Sequence, residues 1–257
     1  LNGGKMKKYI FLLFAIFMPL PVLSNISLSP FFLKFDAEAK TRTGQVRFTN
    51  TSRETRTYNI RLVNFIQEKD GSYRTITKPL EGNPFADYYL EYSPRQVTLE
   101  PMKSQVVRVQ RRGMAAADPG EYVSHLLIQE VPIDRPKSNE KPTEGISINL
   151  EVVYGVSIPV IIEKGKTTST ARIKNAQVLK NENIARVKVE RFGNRSFLGS
   201  VVIKEKGREI GKISDFRIFM TTGARILSVP LSKNPKGEIS VTLINGRTKE
   251  IIEIKDI

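Results

Sequence analysis

The chain has 257 residues, 40% hydrophobic and 26% charged, with a formal net charge of +15. That is an ordinary soluble balance, enough for one or two cores. Cys is absent, which excludes a disulfide framework, a thiolate metal site and a thiol nucleophile, but does not locate the protein.

The first element is a leader. From Met6 the sequence reads MKKYIFLLFAIFMPLPVLS, with Lys7 and Lys8 ahead of an apolar stretch from Tyr9 to Met18. Pro19 and Pro21 break that stretch, and Val22-Leu23-Ser24 offers a small residue at a cut. This pattern predicts a secretory signal peptide, removed after Ser24. The stretch is shorter than the ~20 residues a membrane helix needs, so no membrane span remains after cleavage. Residues 1–5 read as upstream sequence or a non-Met start.

Removal of residues 1–24 leaves 38 basic and 26 acidic residues, unevenly spread. Residues 25–163 carry 18 basic and 17 acidic side chains, whereas residues 164–257 carry 20 and 9. The shift predicts two domains, 25–163 and 164–257.

Nearly every later segment alternates with a period of two. The first domain contains ISLSPFFLKF (26–35), GQVRFTN (44–50), TYNIRLVNFIQE (57–68) and, after a KDGS turn, YRTIT (73–77). RQVTLE (95–100), SQVVRVQ (104–110) and EYVSHLLIQEV (121–131) follow. The second contains ARIKNAQVL, IARVKVERF, FLGSVVIKE, DFRIFMTT, RILSVPLS, EISVTLI and TKEIIEI, with Asn245-Gly246 as a hairpin signal between the last two. Short strands rich in Val, Ile, Phe, Tyr and Thr, punctuated by Gly, Pro, Asn and Asp, predict an all-β chain of two β-sandwich domains. Between strands, PIDRPKSNEKPTEG (132–145) reads as a polar loop.

Chemistry is poorly supplied. His125 is the single His and lies mid-strand, and no nucleophile elbow accompanies it. A structural role is expected. No metal site, phosphate loop or dinucleotide motif is present, so the expectation is no catalytic residue, no metal and no cofactor. The two Gly of KEKGREIGK (204–212) read as a hairpin, and Asp36/Glu38 as surface carboxylates. The basic second domain has no Tyr or Trp, and only Phe192, Phe197, Phe216 and Phe219 as aromatics. A base-stacking platform is therefore not expected, and no nucleic acid partner.

One segment exceeds what a fold requires. GISINLEVVYGVSIPVI (145–161) places Ile146, Ile148, Leu150, Val152, Tyr154, Val156, Ile158 and Val160 on one face. An extended chain of that length reaches roughly 56 Å, several times the usual strand. Tyr154 to Val160 can pack in a sandwich. Ile146 to Val152 emerge straight from the polar loop and would form an aggregation-prone edge if left bare. Either they are core residues of a long strand, or the edge is shared with another chain by strand addition. A bare comb also gives a second copy a reason to cover it, a self-capping dimer.

Several stretches carry a resemblance: NISLSPFFLKF, GQVRFTNTSRETRTYNIRL, YSPRQVTLEPMKSQVVRVQRR, GEYVSHLLIQEVP, and the alternating strand that closes in YGVSIPVII. Together they resemble the periplasmic pilus-assembly chaperones of the PapD type over residues 25–163. The second domain agrees in size and β character. The resemblance implies two immunoglobulin-like domains in a periplasmic, non-enzymatic protein. Its partners would be pilus or fimbrial subunits and an outer-membrane usher. It implies that Ile146, Ile148, Leu150 and Val152 are lent to an unfinished subunit. Where that family carries an Arg on its first strand this register has Phe32, and at its Lys position Tyr154 or Gly155. Lys34, in phase with Phe32, is the candidate carboxylate anchor. The rival reading is an immunoglobulin-like envelope or fibre module that binds acidic glycan or lipid through its basic C-terminal domain.

Overall fold

A computed structural model describes residues 25–76, 84–132 and 153–257. The expected signal peptide and the Ile146, Ile148, Leu150 and Val152 comb lie outside the described residues.

The N-terminal sandwich packs two sheets. One has the order β1 (Ile26–Ser29), β3 (Thr43–Asn50), β8 (Ser104–Arg111), β6 (Leu90–Ser93). The other runs β2 (Leu33–Asp36), β10 (Gly155–Lys164), β9 (Gly120–Glu130), β4 (Arg56–Gln67), β5 (Tyr73–Ile76), with β7 (Gln96–Leu99) also on β4. Period-two alternation sends one set inward: Val46 and Phe48, Tyr58 and Ile60, Val107 and Val109, Leu126 and Ile128, and Ile158, Val160 and Ile162. Phe48 and Tyr58 meet edge-on between the sheets at 5.4 Å.

The C-terminal sandwich repeats the plan. β11 (Ser169–Leu179), β12 (Ile184–Gly193) and β15 (Ala224–Pro230) form one sheet. β14 (Arg208–Ile218), β13 (Phe197–Glu205), β16 (Ile239–Asn245) and β17 (Ile251–Asp256) form the other. Their shared core includes Val187, Val189, Phe197, Val201, Ile203, Leu227 and Leu243.

Some details depart from the sequence patterns. ISLSPFFLKF is not one strand. β1 pairs antiparallel with β3 in one sheet, and β2 pairs parallel with β10 in the other. Pro30 sits at the crossing, where its missing N–H breaks no ladder. β6 is four residues long and buries only Leu90, too little for its pattern to announce it. β14 starts at Arg208 rather than Asp215, directly after a tight turn with Lys206 at φ 45° and Gly207 at φ 80°. Asn245-Gly246 does not form a two-residue turn. Gly246 donates to the Leu198 carbonyl at 2.9 Å, extending the pairing with β13, and the positive φ falls at Lys249.

The two sandwiches meet through few but specific contacts. The Gln67 amide donates to the Arg217 carbonyl at 3.1 Å and accepts from Phe219 N–H at 3.1 Å. The Thr222 hydroxyl donates to the Gln67 carbonyl. Ile226 N–H donates to the Lys69 carbonyl at 2.6 Å, which docks the β4–β5 turn on β15. The buried Glu121 accepts from Ser196 N–H at 3.2 Å and from its hydroxyl. At the far end of β10, Lys164 Nζ donates to the carbonyls of Met114 at 2.6 Å, Ala115 at 3.0 Å and Ala117.

Candidate functional site

Among the described residues, strand β10 is paired along its whole length on one side and along Val160 to Glu163 alone on the other. Residues Gly155–Lys164 all pair with β9, from Gln129 back to Gly120. On the other side β2 covers only Val160 to Glu163. Among the described residues, no strand pairs with Gly155–Pro159 on that side. The open stretch is five residues, roughly 17 Å of backbone rim.

Two hydrogen bonds set the phase of that rim. Glu130 N–H donates to the Tyr154 carbonyl at 2.8 Å, so even-numbered residues of β10 direct their backbone groups to β9. Ala37 N–H donates to the Glu163 carbonyl at 2.7 Å, so odd-numbered residues address β2. Gly155 and Ser157 therefore present N–H and C=O to the open lane. Pro159, also odd, presents a carbonyl alone and forfeits nothing to β9.

The side chains follow the same alternation. Ile158, Val160 and Ile162 are buried and Val156 is half-buried, all packed in the core. Tyr154 is next in that series and is 49% exposed, so burial of this face fades toward the start of β10 and Tyr154 does not pack in the sandwich as expected. Val153 beside it is exposed, as are Phe31 at 76% and Phe32 at 56%, which precede the Leu33–Val160 pair where β2 takes up the lane. The signal for the pair was in the sequence. Two adjacent aromatics in an alternating stretch cannot both face one core.

The cation of β2 is engaged. Lys34 Nζ lies 3.0 Å from Glu163 Oε2, and Arg195 Nη1 lies 3.8 Å from the other oxygen of that carboxylate. On the other side of β10 from the lane, where β4 meets the end of β9, Arg56 Nη1 and Glu130 Oε1 lie 2.7 Å apart with both side chains largely buried.

His125 has a structural place. Its ring meets Phe65 at 4.8 Å and Phe219 at 6.3 Å, both edge-on, and joins a domain-junction cluster with Tyr73. Burial, and secondly Arg217, lower its pKa to about 4, so it is neutral in the folded protein. Among the described residues, no group of three His, Cys, Asp or Glu is arranged to hold a metal, and no helix is long and apolar enough to cross a membrane. Asp36 Oδ1 accepts the Glu38 N–H at 2.8 Å, a local turn.

The fold and site thus define a two-domain β-sandwich protein in which, among the described residues, Gly155–Pro159 of β10 is paired on one side only. Protein-family models and curated proteins give no match to the sequence. Solved structures do. The chain is similar to the YadV chaperone, with a TM-score of 0.52 at 12% identity, over 91% of this chain and 100% of that one. It is also similar to a chain of the CsuC–CsuE chaperone–tip adhesion subunit pre-assembly complex from archaic chaperone-usher Csu pili of Acinetobacter baumannii. There the TM-score is 0.51 at 13% identity, over 91% and 98% of the two chains. The chain has the two-domain, immunoglobulin-like fold of pilus chaperones.

Proposed function

We propose that the chain is a periplasmic, non-enzymatic chaperone that binds pilus or fimbrial subunits by lending them a β-strand, before their assembly by an outer-membrane usher. Residues 25–163 form the lending domain and residues 164–257 the second domain. One observation carries the reading: among the described residues, Gly155–Pro159 of β10 is paired on one side only, and in the sequence Ile146, Ile148, Leu150 and Val152 keep the two-residue period that leads into it. A subunit lacking a strand gains main-chain hydrogen bonds along the rim and an apolar filling for its core. Each lent side chain contributes ~1.5–3 kcal/mol when fully buried. Without a client, a second copy capping the same lane is the expected resting state. Lys34 can serve a client's terminal carboxylate only by releasing Glu163.

The fold shared with the YadV chaperone and with a chain of a chaperone–adhesin complex supports this reading over a glycan- or lipid-binding module. The basic outer face of β11 and β12 is partly neutralised in any case, with Arg172 and Lys174 both paired to Glu190.

The test replaces Ile148 and Leu150 together by Asp and measures the periplasmic yield of a co-expressed subunit. The expected result is loss of the subunit with the chaperone still folded. An unchanged yield overturns strand lending.

A further inference from the structure

We infer that the cleft between the two sandwiches, beside the β4–β5 turn, binds a small organic anion: a carboxylate or sulfonate carried on an aromatic body. The site is separate from the Gly155–Pro159 lane, because β9 stands between β4 and β10 and the lane opens on the far side of β10.

Three observations lead to it. First, both sandwiches build the cleft. Residues 66–69, at the end of β4, form one wall, and residues 190–192 of β12 with 221–224 form the other, around about 460 Å³. That volume and a place at a domain boundary suit a small ligand. Second, the charge on the walls is unbalanced. Each carboxylate is already engaged, Glu68 by Arg74 at 3.0 Å, and Glu190 by Arg172 at 3.1 Å and Lys174 at 3.7 Å. The two cations are not. Among the described residues, neither Lys69 nor Arg191 has a carboxylate within ion-pair distance, and Arg191 Nη1 donates to the carbonyls of Gly193 at 2.7 Å and Arg195 at 3.2 Å. Burial, opposed by the charge of Glu121, lowers the Arg191 pKa, as expected of a cation short of compensation. An entering anion therefore meets two cations and displaces no tethered carboxylate. Third, the walls offer a seat for a ring. Phe192 is 41% exposed with Arg172 stacked at 4.9 Å on its ring, and half-buried Ile66 lines the opposite wall. An anion without rings would gain only a screened attraction to exposed charge, and rings without an anion only the apolar contact. A ligand with both would touch the two sandwiches at once and fix one against the other.

The test titrates the mature protein with two fluorescent probes, 1-anilinonaphthalene-8-sulfonate and N-phenyl-1-naphthylamine, which has the same rings and no sulfonate. The wild type is compared with Lys69→Gln, Lys69→Arg, Phe192→Ser, Phe31→Ala/Phe32→Ala and, away from the cleft, Lys180→Gln. Urea unfolding of each variant checks that the fold is kept. The expected result is one saturable site for the sulfonate, weakened about tenfold by Lys69→Gln and by Phe192→Ser and restored by Lys69→Arg. The neutral probe should bind about tenfold more weakly than the sulfonate, and the Lys180 and Phe31/Phe32 variants should match the wild type. If Lys69→Gln binds the sulfonate as the wild type does, or the neutral probe binds equally well, selection of an anion is overturned. If Phe192→Ser has no effect, or the Phe31/Phe32 change removes binding, the probe sits elsewhere and the cleft is overturned. Absence of a saturable site overturns the whole inference. None of these outcomes bears on strand lending, which the Ile148/Leu150 change tests separately.

Discussion

Pro159 stands opposite His125 across the β9–β10 ladder. The two mark opposite fates for one sheet. His125 faces the closed domain junction among Phe65, Tyr73 and Phe219, and Pro159 turns its only main-chain acceptor to the open lane. A Pro at that position removes a donor from an edge that would otherwise pair indiscriminately.

Pro159→Val restores the missing N–H. One more edge hydrogen bond contributes ~0.5–1.5 kcal/mol, which raises a self-association constant about two- to twelvefold. Size-exclusion chromatography with light scattering should show a larger mass at equal concentration. An unchanged mass contradicts the role given to Pro159.

His125 makes stability fall with acid. Its folded pKa is about 4 and its ordinary value 6.5, so between them the unfolded chain binds the extra proton. The contribution is complete above about pH 6.5 and declines as pH drops toward 4, by up to about 3 kcal/mol. Urea titrations of His125→Phe, which keeps an aromatic ring in the cluster, should lack that part of the slope. A variant with the wild-type slope would place the titration elsewhere.

Gln67 joins the sandwiches as a strand residue would, with one amide bonding both Arg217 and Phe219. Gln67→Leu leaves the Phe219 N–H unmet, whereas the Arg217 carbonyl keeps Arg225 Nη1 at 3.1 Å, and should cost about 1–3 kcal/mol. Small-angle scattering should also show a broader distribution of shapes. Gln67→Glu keeps the acceptor for Phe219 but buries a carboxylate oxygen against the Arg217 carbonyl, so its loss should be at least as large. Equal stability in all three proteins would mean that the junction is held elsewhere.

Gly71 sits in the β4–β5 turn with φ +94°, and a Cβ there would lie 2.3 Å from the Arg225 guanidinium. Arg225 can swing aside, but the backbone cannot relax as easily. Gly71→Ala should therefore cost ~1–3 kcal/mol, measured by thermal unfolding. A smaller change for Arg225→Ala would separate backbone strain from crowding.

The fold class could be read from period-two patterns because each inward set is nearly pure. Val46-x-Phe48, Val107-x-Val109 and Val241-x-Leu243 need no partner to reveal their phase. Boundaries were harder where the ladder, not the side chains, decides. The sheet crossing at Pro30 depends on which neighbour accepts Leu33, and the Asn245-Gly246 turn is displaced because Gly246 is drawn to Leu198. The open lane was not legible in the sequence: it follows from β2 beginning only at Leu33, opposite Val160, and the Ile146, Ile148, Leu150 and Val152 comb lies outside the described residues. The pairing of Lys34 with Glu163 joins positions 129 residues apart, beyond any local pattern.

The ammonium of Lys164, seated among the Met114, Ala115 and Ala117 carbonyls, gives β10 a moored end. A guest tugging at the rim from the other end loads a strand that cannot slide lengthwise without uprooting that charge from its oxygens. Slippage by two residues would preserve every inward side chain, so alternation alone does not forbid it. The mooring opposes it, and under the strand-lending proposal it would make the rim a ruler with a fixed zero for an added segment.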